Sequence, residues 1–275
     1  MRHRKGVLLG SVSLLVAAVL FVVPFVFILL TALKDRQEAN LLKFTWPTHI
    51  ALLDNLREVV QARDYMLVIA YINSTVLTFC SVALLVVFSA MVAFVLQRRP
   101  GRWTRVADLL VMAGLIIPPA VVPTVWVLQG LGLFRTMSGL ILVEVAFGMA
   151  FCILLFKAFI ATIPRELDEA AAIDGAGPLR LFFRVIFPVL RSVVVTVIVL
   201  QSVFVFNDFQ NPLYFLPGDD NATVQLTLFN FQSQFTSAYN LLFMDILLVT
   251  IPPLILFLFF NRQIVAGMTS GSVKG

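Results

Sequence analysis

Six apolar runs, each about as long as a helix that crosses a bilayer, constrain the fold of this chain more than any other feature. The runs cover residues 7–33, 68–96, 106–128, 138–161, 191–215 and 241–260. Crossing the hydrocarbon core takes about 20 helical residues. The pattern predicts an all-α, polytopic membrane protein with about six transmembrane helices, forming a single domain over residues 1–275.

The composition excludes an ordinary soluble domain, because 60% of the residues are hydrophobic and 13% are charged. Soluble domains average roughly 45–50% apolar and about 25% charged residues. The first run follows the basic start Met1–Lys5 and is longer than the apolar core of a signal peptide, so we expect a retained anchor. Cys80 and Cys152 both fall within apolar runs, which indicates neither a disulfide framework nor a metal site.

Positive charges predict the orientation, since short loops rich in Lys and Arg stay cytoplasmic. Such residues precede the first run, fill the loop after the second and flank the loop 163–190: Arg2, Arg4, Lys5, Arg98, Arg99, Arg102, Arg105, Lys157, Arg165, Arg180, Arg184 and Arg191. All of them fall on one side. We therefore expect both termini and the loop 163–190 to be cytoplasmic, and we attribute the net charge of +5 to topology instead of nucleic-acid binding.

A polar, helix-forming stretch, Glu166–Ala176, lies between the fourth and fifth runs. Pro164 stands where a first helical turn tolerates a missing N–H, and the early carboxylates suit the positive end of the helix dipole. Gly175 is expected to stop this helix. Pro178 can open a second short helix, and Pro188 is expected to end it. The loop 163–190 therefore reads as a helix-turn-helix finger that docks a partner.

Motifs for chemistry are missing from the sequence. No G-x-x-x-x-G-K-[ST] loop is present, so any ATP that is used must be hydrolysed by a partner. The sequence also has no H-E-x-x-H, G-x-S-x-G or paired-histidine arrangement. We expect a non-enzymatic chain that itself binds no cofactor or metal.

Polar residues within or near the apolar runs are the candidates for a solute pathway. Of the carboxylates Asp108, Glu144, Asp208 and Asp245, all but Glu144 lie near a predicted helix end. Amides and carboxylates could hydrogen-bond the hydroxyls of a neutral polar solute, although bonds between helices explain them equally well. The candidate solute-pathway residues are Glu144, Gln201, Asn207, Asp208 and Asn211.

Prolines are expected to interrupt two of the spans. Pro118, Pro119 and Pro123 fall in the third run, and Pro252 and Pro253 fall in the sixth. Each proline removes a backbone donor and allows a kink. Broken helices of this kind are typical of transporters.

These residues together resemble the inner-membrane permease subunits of bacterial ATP-binding-cassette importers for carbohydrates, of the maltose and glycerol-phosphate type. The finger is similar to the EAA motif of that family. Further similar segments extend over most of the chain: Asn73–Ser74, Ala93–Phe94, Pro118–Pro119, Leu131–Leu133, Asn207–Phe209, Pro212–Leu213 and Gly267–Gly275.

The resemblance implies half of a heterodimeric alternating-access pore in the bacterial inner membrane, with a homologous permease as partner. It also implies two ATPase subunits, which use ATP and Mg, and an external solute-binding protein. The implied ATPase-coupling residues are Glu169, Ala170, Ala171, Asp174, Gly175, Ala176 and Pro188. The tail 261–275 is expected to insert between the ATPase subunits through Gly267, Thr269, Gly271 and Lys274.

Two alternatives remain at this point. A permease of the same class could carry another solute, such as amino acids or polyamines. An autonomous secondary transporter would instead need a membrane-buried ion or proton site, which the charge distribution does not favour.

Overall fold

The structure is a computed structural model that describes residues 2–218, 221–228 and 238–270, with side chains for 13–218, 221–228 and 238–260. Every regular element in these ranges is a helix. The helices are α1 (Arg2–Ala32), α2 (Arg36–Ala39), α3 (Leu52–Arg98), α4 (Arg102–Ile116), α5 (Val121–Gly130), α6 (Met137–Ile160), α7 (Glu166–Ile173), α8 (Pro178–Leu181), π1 (Phe182–Ile186), α9 (Phe187–Val189), α10 (Arg191–Phe206), α11 (Gln210–Phe215), α12 (Val224–Thr227) and α13 (Tyr239–Ser270).

Four helical segments are long and apolar enough to span a membrane: Ser13–Ala32, Leu52–Arg98, Met137–Ile160 and Tyr239–Phe260. The helices Pro178–Val189 and Arg191–Phe206 form a pair bent by 78°, which makes a fifth candidate. The all-α, multi-pass membrane architecture is confirmed. The third predicted run corresponds to two shorter helices, α4 and α5, so the count of six spans stays a prediction.

The prolines of the third run break the chain where the sequence predicts a break. Ile117 and Ala120 have extended backbones, and Pro118 and Pro119 lie between them. Neither proline could donate to a continuing helix, and each disfavours the helical region for the residue before it. The expected interruption at Pro252 and Pro253 is wrong, because α13 continues through both. A proline lacks the backbone N–H that would bond a carbonyl of the preceding turn. The helix can continue through it if that carbonyl finds another hydrogen-bond partner.

The chain divides into two compact units. The first comprises Met1–Ala70 and Val224–Pro252, and the second comprises Tyr71–Thr223 and Pro253–Gly275. Helices α3 and α13 each contribute to both units.

The loop that follows α1, in the first unit, is organised around a buried lysine. Lys34 has no exposed surface, and its Nζ donates to Lys43 O at 2.8 Å and to Thr45 Oγ1 at 3.0 Å. Asn55 ties the start of α3 to this loop, since its Nδ2 donates to the carbonyls of Ala32 and Lys34, each at 2.8 Å. These hydrogen bonds offset the free-energy cost of burying the Lys34 ammonium group and the backbone carbonyls.

Helix α3 breaks shortly before the second predicted run begins. Ala62 has an extended backbone, and Arg63, Asp64 and Tyr65 have φ values of +46°, +54° and +62°. Non-glycine residues seldom adopt this left-handed region, and several in succession are uncommon. The break divides α3 into two parts, and the second predicted run lies wholly in the later part.

The larger of two apolar cores in the described part of the second unit extends into the finger. Its buried side chains come from α3, α6, π1 and α10, including Leu85, Phe156, Phe182, Ile186 and Val197. Since π1 belongs to the loop between α6 and α10, the same core that packs the spans also anchors the finger.

Candidate functional site

The first helix of the finger ends in the turn that the sequence predicts at Gly175. Gly175 has φ +74°, in the left-handed region. The Ala176 N–H donates to Ala171 O at 2.9 Å, and the Gly175 N–H donates to Ala172 O at 3.0 Å. This pair of bonds defines a Schellman motif, which satisfies carbonyls at the helix end. The local sequence therefore fixes a tight reversal after α7.

The second half of the finger contains three short helical pieces. Pro178 opens α8, and π1 and α9 follow without a break. Pro188 lies in α9, the last of these pieces, beside the predicted end of the second helix. The helix stops at Val189, and the chain then turns by 78° into α10.

Side chains at the tip of the finger face away from the protein. Glu169, Ala170, Asp174 and Gly175 are exposed there, and Pro188, in α9, is exposed as well. Two apolar side chains beside them are also exposed, Ile173 at 86% and Leu179 at 65%. These two side chains are not among the predicted site residues, although their positions on either side of the Gly175 turn in the sequence could have indicated them.

The remaining predicted coupling residues face the protein to different degrees. Ala171 is buried at 7% exposure, and Ala176 is half-buried. A helix lying on a protein surface turns one face inward, which explains why adjacent alanines differ. Ala171 therefore packs within the finger while Ala170 and Ala172 remain exposed.

The base of the finger is held by the last turn of α3. Arg98 Nε lies 2.7 Å from Asp168 Oδ2, in the first turn of α7. Arg98 Nη2 also donates to Ile163 O at 2.9 Å. Farther from the finger, Lys157 of α6 pairs with Asp108 of α4 at 2.6 Å. From the sequence, Arg98 is expected only to mark the cytoplasmic side, and its pairing with Asp168 is not predicted.

Three of the five predicted solute-pathway residues come together where α6 meets α11. Glu144 is buried at 2% exposure, and its Oε1 accepts a hydrogen bond from Asn211 Nδ2 at 3.1 Å. The Asp208 carboxylate interacts with Glu144 as well. Asp208 Oδ1 also accepts from the Gln210 N–H at 2.8 Å, at the start of α11. The result is a polar cluster inside an apolar unit.

The other two candidates lie apart from this cluster. Gln201 is buried on α10, beside Gly148, where a Cβ on the glycine would lie 3.2 Å from Gln201 Oε1. Asn207 is exposed, and its Nδ2 donates to Val203 O of its own helix at 2.8 Å. Glu144 and Gly148 are four residues apart, so they share a face of α6.

Of the predicted tail contacts, Gly267 and Thr269 have a described backbone only. Helix α13 runs to Ser270, so Gly267 and Thr269 lie in its last turns. Their side chains, and the residues Gly271 and Lys274, lie outside the described part of the chain. Among the described residues, no group of three or more His, Cys, Asp or Glu side chains could hold a metal ion.

A protein-family comparison decides the class of the chain. The profile of binding-protein-dependent transport system inner membrane components matches residues 85–270. The chain belongs to this family. The matched segment includes the whole finger and the polar cluster of α6 and α11.

Several relatives of this transport component are permeases named for sugars. The melibiose/raffinose/stachyose import permease protein of Bacillus subtilis is 31% identical over 256 residues, covering 92% of this chain and 91% of the relative. The trehalose transport system permease protein of Mycobacterium tuberculosis is 33% identical over 210 residues, covering 75% of this chain and 77% of the relative. The predicted resemblance to carbohydrate importer permeases is confirmed.

A solved structure confirms the fold of the transport component. A chain from a bacterial ABC transporter involved in the import of the acidic polysaccharide alginate superposes with a TM-score of 0.82. The match covers 95% of this chain and 97% of that chain, at 18% sequence identity. A second structure, of the alginate transporter with a pentasaccharide-bound periplasmic protein, has a TM-score of 0.67.

Family membership bears on the function predicted from sequence. The family consists of components of transport systems, which agrees with a permease role without chemistry on the solute. It also disfavours the autonomous secondary transporter, because transport in this family depends on a binding protein. The family as such leaves the solute class open.

Proposed function

We propose that this chain is the permease subunit of an ATP-driven sugar importer and forms half of a heterodimeric, alternating-access pore. The finger docks into a groove of a partner ATPase, and closure of the ATPase dimer changes which side of the membrane the pore opens to. ATP and Mg are bound by the ATPase subunits, and this chain binds no nucleotide. A solute-binding protein delivers the sugar from outside the bacterial inner membrane.

The shape of the finger tip carries this proposal. Gly175 reverses the chain within a tight turn, and Ala170 and Ala172 leave the backbone of α7 uncovered. A helix without bulky side chains can lie deep in a groove. Ile173 and Leu179 supply exposed apolar contacts, and Glu169 can pair with a cation of the partner.

The positive charges around the finger support its placement in the cytoplasm, where an ATPase would meet it. Loops rich in Lys and Arg stay on that side, and both termini follow from the same rule. The tail residues Gly267, Thr269, Gly271 and Lys274 are proposed to contact the ATPase subunits.

The sugar class is supported by the relatives, which are named for melibiose, raffinose, stachyose and trehalose. Within the chain, the cluster of Glu144, Asp208 and Asn211 supplies carboxylate and amide groups for sugar hydroxyls. Gln201 and Asn207 are proposed as further contacts along the same pathway. Amino acids or polyamines are the alternative solutes.

An uptake experiment tests the proposal. A strain lacking this gene is complemented with the wild type, Glu169→Lys or Glu166→Lys, and the uptake of radiolabelled melibiose, raffinose and trehalose is measured. Both changes place a lysine in the first turn of α7, so they disturb the helix dipole equally. Wild type and Glu166→Lys are expected to restore uptake of at least one sugar, whereas Glu169→Lys is expected to abolish it.

The energy source separates the alternatives in the same strain. Depletion of ATP is expected to stop uptake, and a protonophore used with maintained ATP is expected to leave it intact. The opposite pattern, or full uptake in Glu169→Lys, would overturn the proposed function. Uptake of amino acids or polyamines with no sugar uptake would replace the proposed solute class.

A further inference from the structure

Arg98, the last residue of α3, connects that helix to the finger through three contacts, which two of its nitrogen atoms make. Its Nε lies 2.7 Å from Asp168 Oδ2 on α7. Its Nη2 donates to Ile163 O at 2.9 Å and to Pro164 O at 3.4 Å. The two carbonyls belong to the segment between α6 and α7. One guanidinium therefore holds both the backbone that leads into the finger and the first turn of its leading helix.

The position of this contact separates it from an ordinary surface ion pair. The side chains of Arg98 and Asp168 are 9% and 18% exposed, so solvent screens them less than it screens a fully exposed pair. Exposed pairs contribute little to stability. The planar guanidinium presents several donors in a fixed geometry, which a lysine cannot reproduce. The contact thus defines an orientation of the finger relative to α3.

A second contact joins α3 to the other half of the finger. Phe94 lies one helical turn before Arg98, so both project from the same face of α3. The Phe94 ring is 5.6 Å from the ring of Phe182, the first residue of π1, and Phe182 is 3% exposed. The end of α3 therefore contacts the leading helix of the finger through a polar group and the returning helix through an aromatic ring.

We infer that Arg98 is a positioning residue that makes the finger and the cytoplasmic end of α3 move as one body. A force applied to the finger is then transmitted into the second span as well as into the covalently attached α6 and α10. This inference rests on the proposed function, since the force would come from the partner ATPase. Coupling between distant sites requires a packed element whose arrangement both sites influence, and the Arg98 contact supplies that connection.

The test uses this chain purified in complex with its partners. Its two native cysteines are first replaced by Cys80→Ser and Cys152→Ala, and spin labels are attached at Val95→Cys and Arg184→Cys. Both labelled positions are exposed, on α3 and on the finger respectively. The distance between labels is measured without nucleotide and with ATP plus vanadate. The control is Arg99→Ala, which removes the adjacent, exposed arginine. Uptake of the sugar that the strain transports is measured in parallel.

In the wild type and Arg99→Ala, we expect one narrow distance that stays the same in both nucleotide states. In Arg98→Ala, we expect a broadened distance and an uptake at least about fivefold lower, as for the loss of a coupling contact. ATPase subunits should still co-purify with Arg98→Ala. Asp168→Asn keeps the two hydrogen bonds from Arg98 to the carbonyls of Ile163 and Pro164. It should broaden the distance and lower the uptake, as Arg98→Ala does. Adding Asp168→Arg to Arg98→Asp should recover part of the uptake, because the reversed pair again links α3 to α7.

Three results would overturn the inference. The first is a distance and uptake in Arg98→Ala equal to those of Arg99→Ala. The second is loss of the ATPase from Arg98→Ala alone, since the residue would then shape docking instead of transmission. The third is a wild-type complex that contains no ATPase, which would refute the proposed function as well.

Discussion

Replacing Gly175 with valine is expected to open the turn at the end of α7. Gly175 has φ +74°, which a β-branched residue avoids. A left-handed conformation costs about 1–2 kcal/mol for a residue with a Cβ. A Cβ at this position would contact nothing within 4 Å, so the penalty comes from the backbone alone. A free energy of this size lowers the population of the closed turn by a factor of about 5–30.

Hydrogen exchange measures this change directly. The Ala176 and Gly175 amides are held by bonds to Ala171 O and Ala172 O, at 2.9 and 3.0 Å. In Gly175→Val, their protection is expected to fall by about 5–30-fold, in line with the population of the closed turn. Gly175→Asn is the matched control, because asparagine adds a Cβ but tolerates the left-handed region.

The amount of the proposed partner ATPase that co-purifies is expected to fall in the variant whose turn amides lose protection. We expect less ATPase with Gly175→Val than with Gly175→Asn in the same purification. Equal exchange in the two variants would refute the assignment of the turn. Unequal exchange with equal ATPase recovery would refute the role of the turn in docking.

The remaining predictions concern packing within the second unit. Glu144→Ala leaves the Asn211 amide without the acceptor that lies 3.1 Å away. This change is expected to lower the free energy of unfolding by about 1–3 kcal/mol, which a lower Tm in detergent would show. Glu144→Gln keeps an acceptor oxygen and is expected to keep most of the Tm. Equal losses in both would contradict the hydrogen bond. Gly148→Ala places a Cβ 3.1 Å from Leu85 Cδ1. The overpacking is expected to lower the free energy of unfolding by about 1–3 kcal/mol. Gly130→Ala is the control and should not lower the Tm, because a Cβ there meets nothing within 4 Å. A Tm for Gly148→Ala at or above that of Gly130→Ala would contradict the tight contact.

Features governed by local chemistry could be predicted from the sequence. The reversal at Gly175 and the helix that starts at Pro178 follow from backbone preferences of single residues. The apolar runs predict membrane helices because the length of a span is set by the bilayer. The break at Pro118 and Pro119 follows from missing donors in the same way.

Features that depend on distant neighbours could not be predicted. Arg98 and Asp168 are far apart in sequence, and nothing local to either residue indicates the partner. The continuation of α13 through Pro252 and Pro253 depends on how its surroundings satisfy the freed carbonyls. Among the solute-pathway candidates, only packing decides that Glu144 and Asn211 meet while Asn207 bonds to its own helix.

The most direct test of the importer account is purification of this chain from its native membrane in mild detergent, with identification of the proteins that accompany it. The account predicts a second, homologous permease and an ATPase with the wild type, and a loss of ATPase with Glu169→Lys but not with Glu166→Lys. Recovery of this chain alone, together with ATP-independent sugar flux in liposomes, would contradict it.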